Sequence, residues 1–262
     1  MKDQTIKWKI YIVGHKKIHE HLMKGDKQFS NENYIFLNVG QMDQLENSEK
    51  YICVNQRDLP NYVSLGKYWA ESEGIYNIWR SQIYKELDYI GFLHYDIEFC
   101  RTRKFCLGGR TNITKQIEKY ICGRRRAHIS FASFTTKGDY AQKIMMDPSR
   151  PNEVTGDGIN CYDQIIADYN QYFKAAYTLE DFFARKYINL CSCFLMDVAA
   201  FDKMMGFFDW LVTSHKLDGY NTDRSNRFQG GMAERYFGVF LLFEYDKSLD
   251  LSLIHQYDQG WK

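Results

Sequence analysis

The sequence has only three prolines, little net charge and no long apolar run. Its seven cysteines, Cys53, Cys100, Cys106, Cys122, Cys161, Cys191 and Cys193, are odd in number, scattered and without a CxxC pair. That pattern argues against a disulfide framework and a structural zinc site. Cys191 and Cys193 have no base beside them in sequence, so a thiol nucleophile is not expected. No stretch approaches the roughly 20 apolar residues needed to cross a bilayer. The polar segment from Met1 to Lys9 leads straight into a short apolar run, without the features of a secretory signal. The expectation is a cytoplasmic protein, with peripheral association at the inner face of the membrane left open. A formal charge of +1 gives no field that would attract nucleic acid. Any anion must therefore be held by a local site, and a nucleotide-sized ligand fits that better than a duplex.

What is present reads as one globular domain spanning residues 1–262, with 45% hydrophobic and 26% charged residues. Twenty tyrosines and eighteen phenylalanines supply either core or stacking platforms for sugars and bases, and core is the preferred reading. Lys9–Val13, Tyr34–Val39 and Tyr51–Val54 are short apolar runs bounded by polar or glycine-containing segments, which predicts three early strands. From Leu65 to Leu87, Trp69, Ile75, Tyr76, Trp79 and Ile83 recur at spacings near three and four, which predicts a long amphipathic helix interrupted only by Gly74. An apolar strand from Asp88 turns charged before Phe99. Helices are predicted at Asn112–Ile121, Cys161–Ala176, Leu179–Tyr187, Val198–His215 and Met232–Phe243, and strands at His128–Phe134 and Cys191–Met196. Residues 147–160, with two prolines and two glycines, read as a loop of the kind that covers active sites. Strands alternating with helices predict an α/β fold with a mainly parallel central sheet flanked by helices.

In such sheets ligands bind at the carboxyl ends of strands. The run Tyr89–Leu93 leads into His94-Tyr95-Asp96-Ile97-Glu98. In an extended chain His94, Asp96 and Glu98 would point to one side. One imidazole and two carboxylates suit Mn²⁺ or Mg²⁺, an ion that stabilises a departing diphosphate. The plainer reading is a strand that turns polar where it meets solvent. His15, His19 and His21 complete no zinc motif and read as a solvated face. Lys16-Lys17, after the first strand, offers charge to a diphosphate or base. Arg124-Arg125-Arg126 reads as a solvated turn or a contact with anionic membrane. Gly230-Gly231-Met232-Ala233-Glu234-Arg235 opens the last predicted helix, where paired glycines permit close ligand approach and the helix terminus favours anions. Glu234 there merely offsets the macrodipole in the plain reading. Asp157, Asp163, Asp197 and Asp223 are alternative acids that sequence does not rank.

An apolar strand followed by a short acidic motif resembles the Asp-x-Asp site of GT-A glycosyltransferases, a Rossmann-like fold. There the motif holds the metal and the nucleotide diphosphate. His94-Tyr95-Asp96 is the counterpart here, with His94 in place of the first Asp, so Asp96 is the stronger ligand candidate and Glu98 the alternative. The chain is also similar over most of its length to a bacterial family long labelled a domain of unknown function and associated with capsular or exopolysaccharide biosynthesis. The matching features are KIYIVGHKK from Lys9, the helix with Glu71 that ends in Ile78-Trp79, DYIGFLHY from Asp88, CFLM from Cys193 and FQGGMAER from Phe228. In that family HY is usually followed by Arg, whereas Asp96 follows here. Either this chain has regained a metal site or metal use varies among its relatives.

The resemblance implies a transferase that moves a sugar, as a hexosyl or pentosyl group, from a nucleotide-diphosphate sugar to a saccharide or lipid-linked saccharide. UDP is the favoured nucleotide. Residues 1–100 would form the nucleotide-binding part and 101–262 the acceptor-binding part. It assigns the donor pocket to Val13, Gly14, His15, Lys16, Glu71, Tyr95 and Arg235, and the general base to Glu234. Asp96, His94, Glu98 and His255 would serve the metal, Asp96 being central to catalysis through it. His255 matches the C-terminal histidine ligand of some GT-A enzymes, although a lone histidine near a terminus more often lies on the surface. Two rivals are a catalytically inactive relative that binds nucleotide or carbohydrate, and another nucleotide-using transferase. For the latter, Gly14-His15-Lys16-Lys17 is a poor glycine-rich signature.

Overall fold

A computed structural model describes residues 6–15, 18, 32–40, 51–66, 69, 71–102, 112–139, 161–218 and 228–255. Lys16, the neighbouring Lys17, His19 and His21, the 147–160 loop and Asp223 lie outside these residues.

The first half builds parallel strands β1 (Trp8–Gly14), β2 (Tyr34–Asn38), β3 (Ile52–Asn55) and β4 (Tyr89–His94). Helix α1 (Glu71–Ser81) precedes β4. After β4 come β5 (Ile97–Thr102), α2 (Ile113–Ile121), β6 (His128–Ser130), β7 (Ser133–Thr135), α3 (Cys161–Phe173), α4 (Leu179–Ala184) and β8 (Tyr187–Asn189). Strand β9 (Phe194–Asp197), α5 (Val198–Thr213), α6 (Phe228–Glu244), β10 (Leu249–Asp250) and β11 (Leu253–His255) complete the described chain. Seven strands form the central sheet in the order β10-β6-β9-β4-β1-β2-β3. Only β9 runs against its neighbours β4 and β6, so the sheet is mixed but mainly parallel.

Both faces of the sheet are covered, which is why its strands read as unbroken apolar runs. Tyr11, Val13, Ile90, Phe92, Phe194 and Met196 join the core under α1, α3, α5 and α6. Ile10, Ile12, Tyr89, Leu93 and Leu195 alternate with them and pack on the other face with Ile113, Ile117 and Ile121 of α2. Helix α1 approaches the sheet at Gly74, where an added Cβ would lie 2.5 Å from Val39 Cγ1. The glycine that interrupts the amphipathic pattern is therefore what lets the helix sit down on β2.

Several expectations need correction, among them the helix predicted over Leu179–Tyr187, which stops at Ala184 and leaves Tyr187 to begin β8. The helix predicted over Leu65–Leu87 is shorter, because the backbone N–H groups of Leu65 and Gly66 donate to Glu73 Oε2, both at 2.9 Å. Val63 likewise exchanges hydrogen bonds with the Asn77 side chain, so this stretch is an irregular strap. At the far end Gln82 takes a left-handed φ of 62° and a 3-10 turn follows. The single strand predicted over His128–Phe134 is two strands in different sheets, with a bend at Phe131-Ala132. Finally, α6 begins at Phe228, so Gly230-Gly231 lies within its first turn. Glu234 thus sits well inside the helix, and the macrodipole explanation for it loses its premise.

Candidate functional site

The chain builds β1, β2 and β3 outward in one direction, then places β4 on the opposite side of β1. That reversal is a topological switch point, where open α/β sheets hold ligands at the carboxyl ends of their strands. Val13 pairs with His94 at this edge, and Tyr95 N donates to Val13 O at 3.0 Å. Alternation along β4 sends Leu93 to the α2 face and His94 to the face covered by α1 and α6.

Here the chain departs from the extended path expected for residues 94–98. Tyr95 and Asp96 form a turn. Asp96 returns toward His94, while β5 carries Glu98 to a position opposite Ile254. Strand β11 pairs antiparallel with β5 and sets His255 against Ile97, which delivers the histidine to Asp96. His255 is fully buried, which corrects the preference for a surface residue. Its Nδ1 lies 3.8 Å from Asp96 Oδ1, and its ring centroid is 6.1 Å from that of His94. His94 Nε2 in turn lies 3.5 Å from Glu71 Oε1.

Two overlapping groups result. One ligand atom from each of His94, Asp96 and His255 falls within 4.8 Å of the others, and the same holds for Glu71, His94 and Glu234. Glu98 belongs to neither group. Three carboxylates and two imidazoles thus converge where water is scarce, and such a cluster requires compensating positive charge, from protons or from a cation. Burial alone lowers the His94 pKa, but Glu71, Glu234 and Asp96 prevail and raise it to about 9. Burial, followed by the adjacent Glu71, pushes the Glu234 carboxyl up to about 8 against the opposing pull of His94 and Arg235. Asp96 Oδ1 and His94 Nε2 are buried and make no hydrogen bond. Mixed imidazole and carboxylate donors with unsatisfied atoms of this kind fit Mn²⁺ better than Mg²⁺, which prefers an all-oxygen shell.

The remaining candidates take different positions. Val13 contributes its side chain to the core, which leaves only its backbone for a ligand. Gly14 lies under Tyr95, whose Cβ would be 3.1 Å from a Cβ added there. His15 is exposed and meets Tyr95 edge-on, with centroids 5.2 Å apart. Arg235 donates from Nη1 to Gly231 O at 2.9 Å within its own helix.

Sequence reading missed Asn38 and Asn55. They end β2 and β3 at the same edge and join through Asn38 Nδ2 donating to Asn55 Oδ1 at 2.8 Å. The available signal was that each early apolar run closes on a polar residue or glycine. Also missed was Glu73, two residues from Glu71, which accepts from Gln56 at 2.8 Å and Tyr62 at 3.2 Å besides the strap. These bonds fix the irregular chain beside the Glu71 end of α1.

Among solved structures, the chain is similar to the bifunctional glycosyltransferase WbbM in its apo form, at 18% identity and a TM-score of 0.59. The match covers 94% of this chain and 44% of that one, so the chain spans less than half of its structural relative. A weaker likeness, at 10% identity and a TM-score of 0.38, is to the mannosyltransferase Ktr4p from S. cerevisiae in complex with GDP, covering 92% of this chain and 70% of that one. No curated protein sequence matches. Among the described residues no helix is long and apolar enough to cross a membrane. The fold is thus that of a known glycosyltransferase structure, and the match of a family model to residues 9–245 places the chain in the family described as Domain of unknown function (DUF4422).

Proposed function

We propose that this chain is a glycosyltransferase that moves a sugar from a nucleotide-diphosphate donor, UDP-linked, to a saccharide acceptor in surface polysaccharide or glycan biosynthesis. The observation that carries the reading is the meeting of His94, Asp96, His255, Glu71 and Glu234 at the switch point of a sheet with a glycosyltransferase fold. His94, Asp96 and His255 hold the divalent ion, and Val13, Gly14, His15 and Tyr95 border the nucleotide, with residues 1–100 as its binding part. A bound Mn²⁺ or Mg²⁺ supplies Lewis-acid stabilisation to the leaving diphosphate. Glu234 accepts the proton of the acceptor hydroxyl. Its raised proton affinity, sustained by burial and by Glu71, brings it near the working pH at which a base is most effective. Glu71 is a positioning residue that sets the charge around His94 and Glu234. Residues 101–262, which include α6, contribute the acceptor side.

The test is a screen of nucleotide-sugar hydrolysis by the purified protein with Mn²⁺, repeated with Asp96→Ala. Turnover of one donor that is lost in the variant is the expected result. Equal turnover in both proteins refutes the assignment of the site.

A further inference from the structure

A second cleft, of about 190 Å³, opens on the same face of the sheet beyond β8, at the β10 edge. Glu234, Gly238 and Leu241 lie at helical spacing along one face of α6. At Gly238 the β8 backbone crosses so closely that an added Cβ would be 2.4 Å from Asn189 O. Strand β8 therefore separates the carboxylate cluster from the cleft, which begins at Leu241, seven residues or roughly 10 Å further along the helix. Tyr245, just past α6, also borders it.

The lining has a definite chemical character. Arg185 and Lys186 face Asp246 and Asp250, two cations against two anions, and Arg185 lies 3.4 Å from Asp246. This balance disfavours a phosphate or other net anion. Short neutral polar groups contribute further. Ser133 Oγ donates to Ser130 Oγ at 2.8 Å, and Asn189 Nδ2 donates to Ser130 Oγ at 2.7 Å. Tyr187 is 44% exposed and borders the cleft with an aromatic ring, over which Lys186 Nζ lies 5.1 Å from the centroid. His128 is buried, stacks on Tyr245 with centroids 5.3 Å apart and shares a 2.7 Å hydrogen bond between Nδ1 and Ser248 Oγ. Its Nε2 is buried with no hydrogen bond. His128 borders the cleft, so a ligand seated there changes the surroundings of the ring without bonding to its covered nitrogen. Burial pushes the His128 pKa down to about 3, so the ring is neutral and adds no charge to the cleft.

We propose that this cleft is a carbohydrate-binding site for one neutral sugar ring, distinct from the carboxylate cluster. An aromatic plate, a charge-balanced rim and clustered hydroxyl and amide groups match a polyol with apolar C–H faces. The volume falls below the roughly 300–1,000 Å³ of drug-sized pockets, which suits a single ring. Held there, a glycan stays attached to the protein while its reacting end is elsewhere.

The experiment is ¹⁵N NMR of the histidine rings during titration with neutral hexoses and N-acetylhexosamines, with inorganic phosphate as the charged control and UDP as competitor. The expected result is a saturable shift at His128 with one of the sugars, unaffected by UDP. Tyr187→Ala should weaken that binding roughly 5-fold or more while leaving thermal melting unchanged, since the ring is exposed. Four results overturn the proposal: no sugar perturbs His128, Tyr187→Ala binds equally well, UDP displaces the sugar, or phosphate alone binds. A protein that binds sugar here yet binds no nucleotide refutes the transferase reading and leaves this one standing.

Discussion

Asp168 and Asp96 are both buried, 2% and 7% exposed, yet their surroundings are opposites. Asp168 accepts from Lys216 Nζ at 3.0 Å, Gln164 Nε2 at 3.1 Å and Tyr236 OH at 2.6 Å. Its charge is paired and hydrogen-bonded by the protein itself, and it ties α3 to α6. Asp96 has one oxygen without a hydrogen bond and shares its surroundings with Glu71 and Glu234 through His94. A buried acid that the fold satisfies is a structural tie. A buried acid that the fold leaves unsatisfied beside like charges is kept for something the fold does not contain.

Removing the unsatisfied acid tests that contrast directly. Asp96→Ala should reduce Mn²⁺-dependent turnover by at least ~100-fold, equivalent to about 2.7 kcal/mol, with little change in melting temperature because the lost attraction for His94 is offset by relief of repulsion among the acids. A large loss of stability in this variant would make Asp96 a structural residue like Asp168. Glu234→Gln should lower transfer roughly 100-fold or more, in the range of general-base loss, while nucleotide affinity measured by calorimetry is retained. Asp168→Ala should do the reverse: it destabilises by about 1–3 kcal/mol, as expected when the buried Tyr236 hydroxyl loses its acceptor, and leaves specific activity intact at temperatures where the protein is folded. Glu73→Gln, which weakens acceptance from the strap at residues 65–66, should cost about 1–3 kcal/mol in urea unfolding and affect donor affinity only through that strap.

A gradual effect of pH concerns His128. Its folded-state pKa is depressed from 6.5 to about 3 by burial, so between these values the unfolded chain binds a proton that the native state refuses. Its contribution to stability is present above pH 6.5 and lost as pH falls toward 3, with a slope of at most about 1.4 kcal/mol per pH unit. Unfolding measured from pH 7.5 to 5 should show this decline, and His128→Gln should flatten it.

Much of the fold was legible because doubly covered parallel strands appear as plain apolar runs: β1, β2 and β4 lie within a residue or two of their expected bounds. The long helix was over-extended because the recurrence from Trp69 to Ile83 continues through a 3-10 turn that buries Tyr84 in the same way. Nothing local marks where Glu73 draws the preceding backbone out of helical bonding. In the candidate site, His94 and Asp96 were readable from the switch from apolar to charged residues, whereas Glu234 was singled out through family resemblance. The turn at Tyr95-Asp96 was not, since His-Tyr-Asp-Ile-Glu continues an extended alternation as readily as it breaks one. His255 gained its place only through pairing of β11 with β5, a contact across more than 150 positions that no local pattern announces. Glu71 was recognised through family resemblance alone, because a buried glutamate at a helix start looks the same in sequence as an exposed one.

The central claim is that the cluster around Asp96 receives a divalent ion together with a nucleotide diphosphate. Calorimetry of Mn²⁺ binding with and without UDP, on the native protein and on Asp96→Ala and His255→Ala, measures this directly. One Mn²⁺ per chain is expected, bound more tightly with UDP and lost or strongly weakened in both variants. Equal Mn²⁺ binding in all three proteins, or none in the native protein with UDP present, would contradict it.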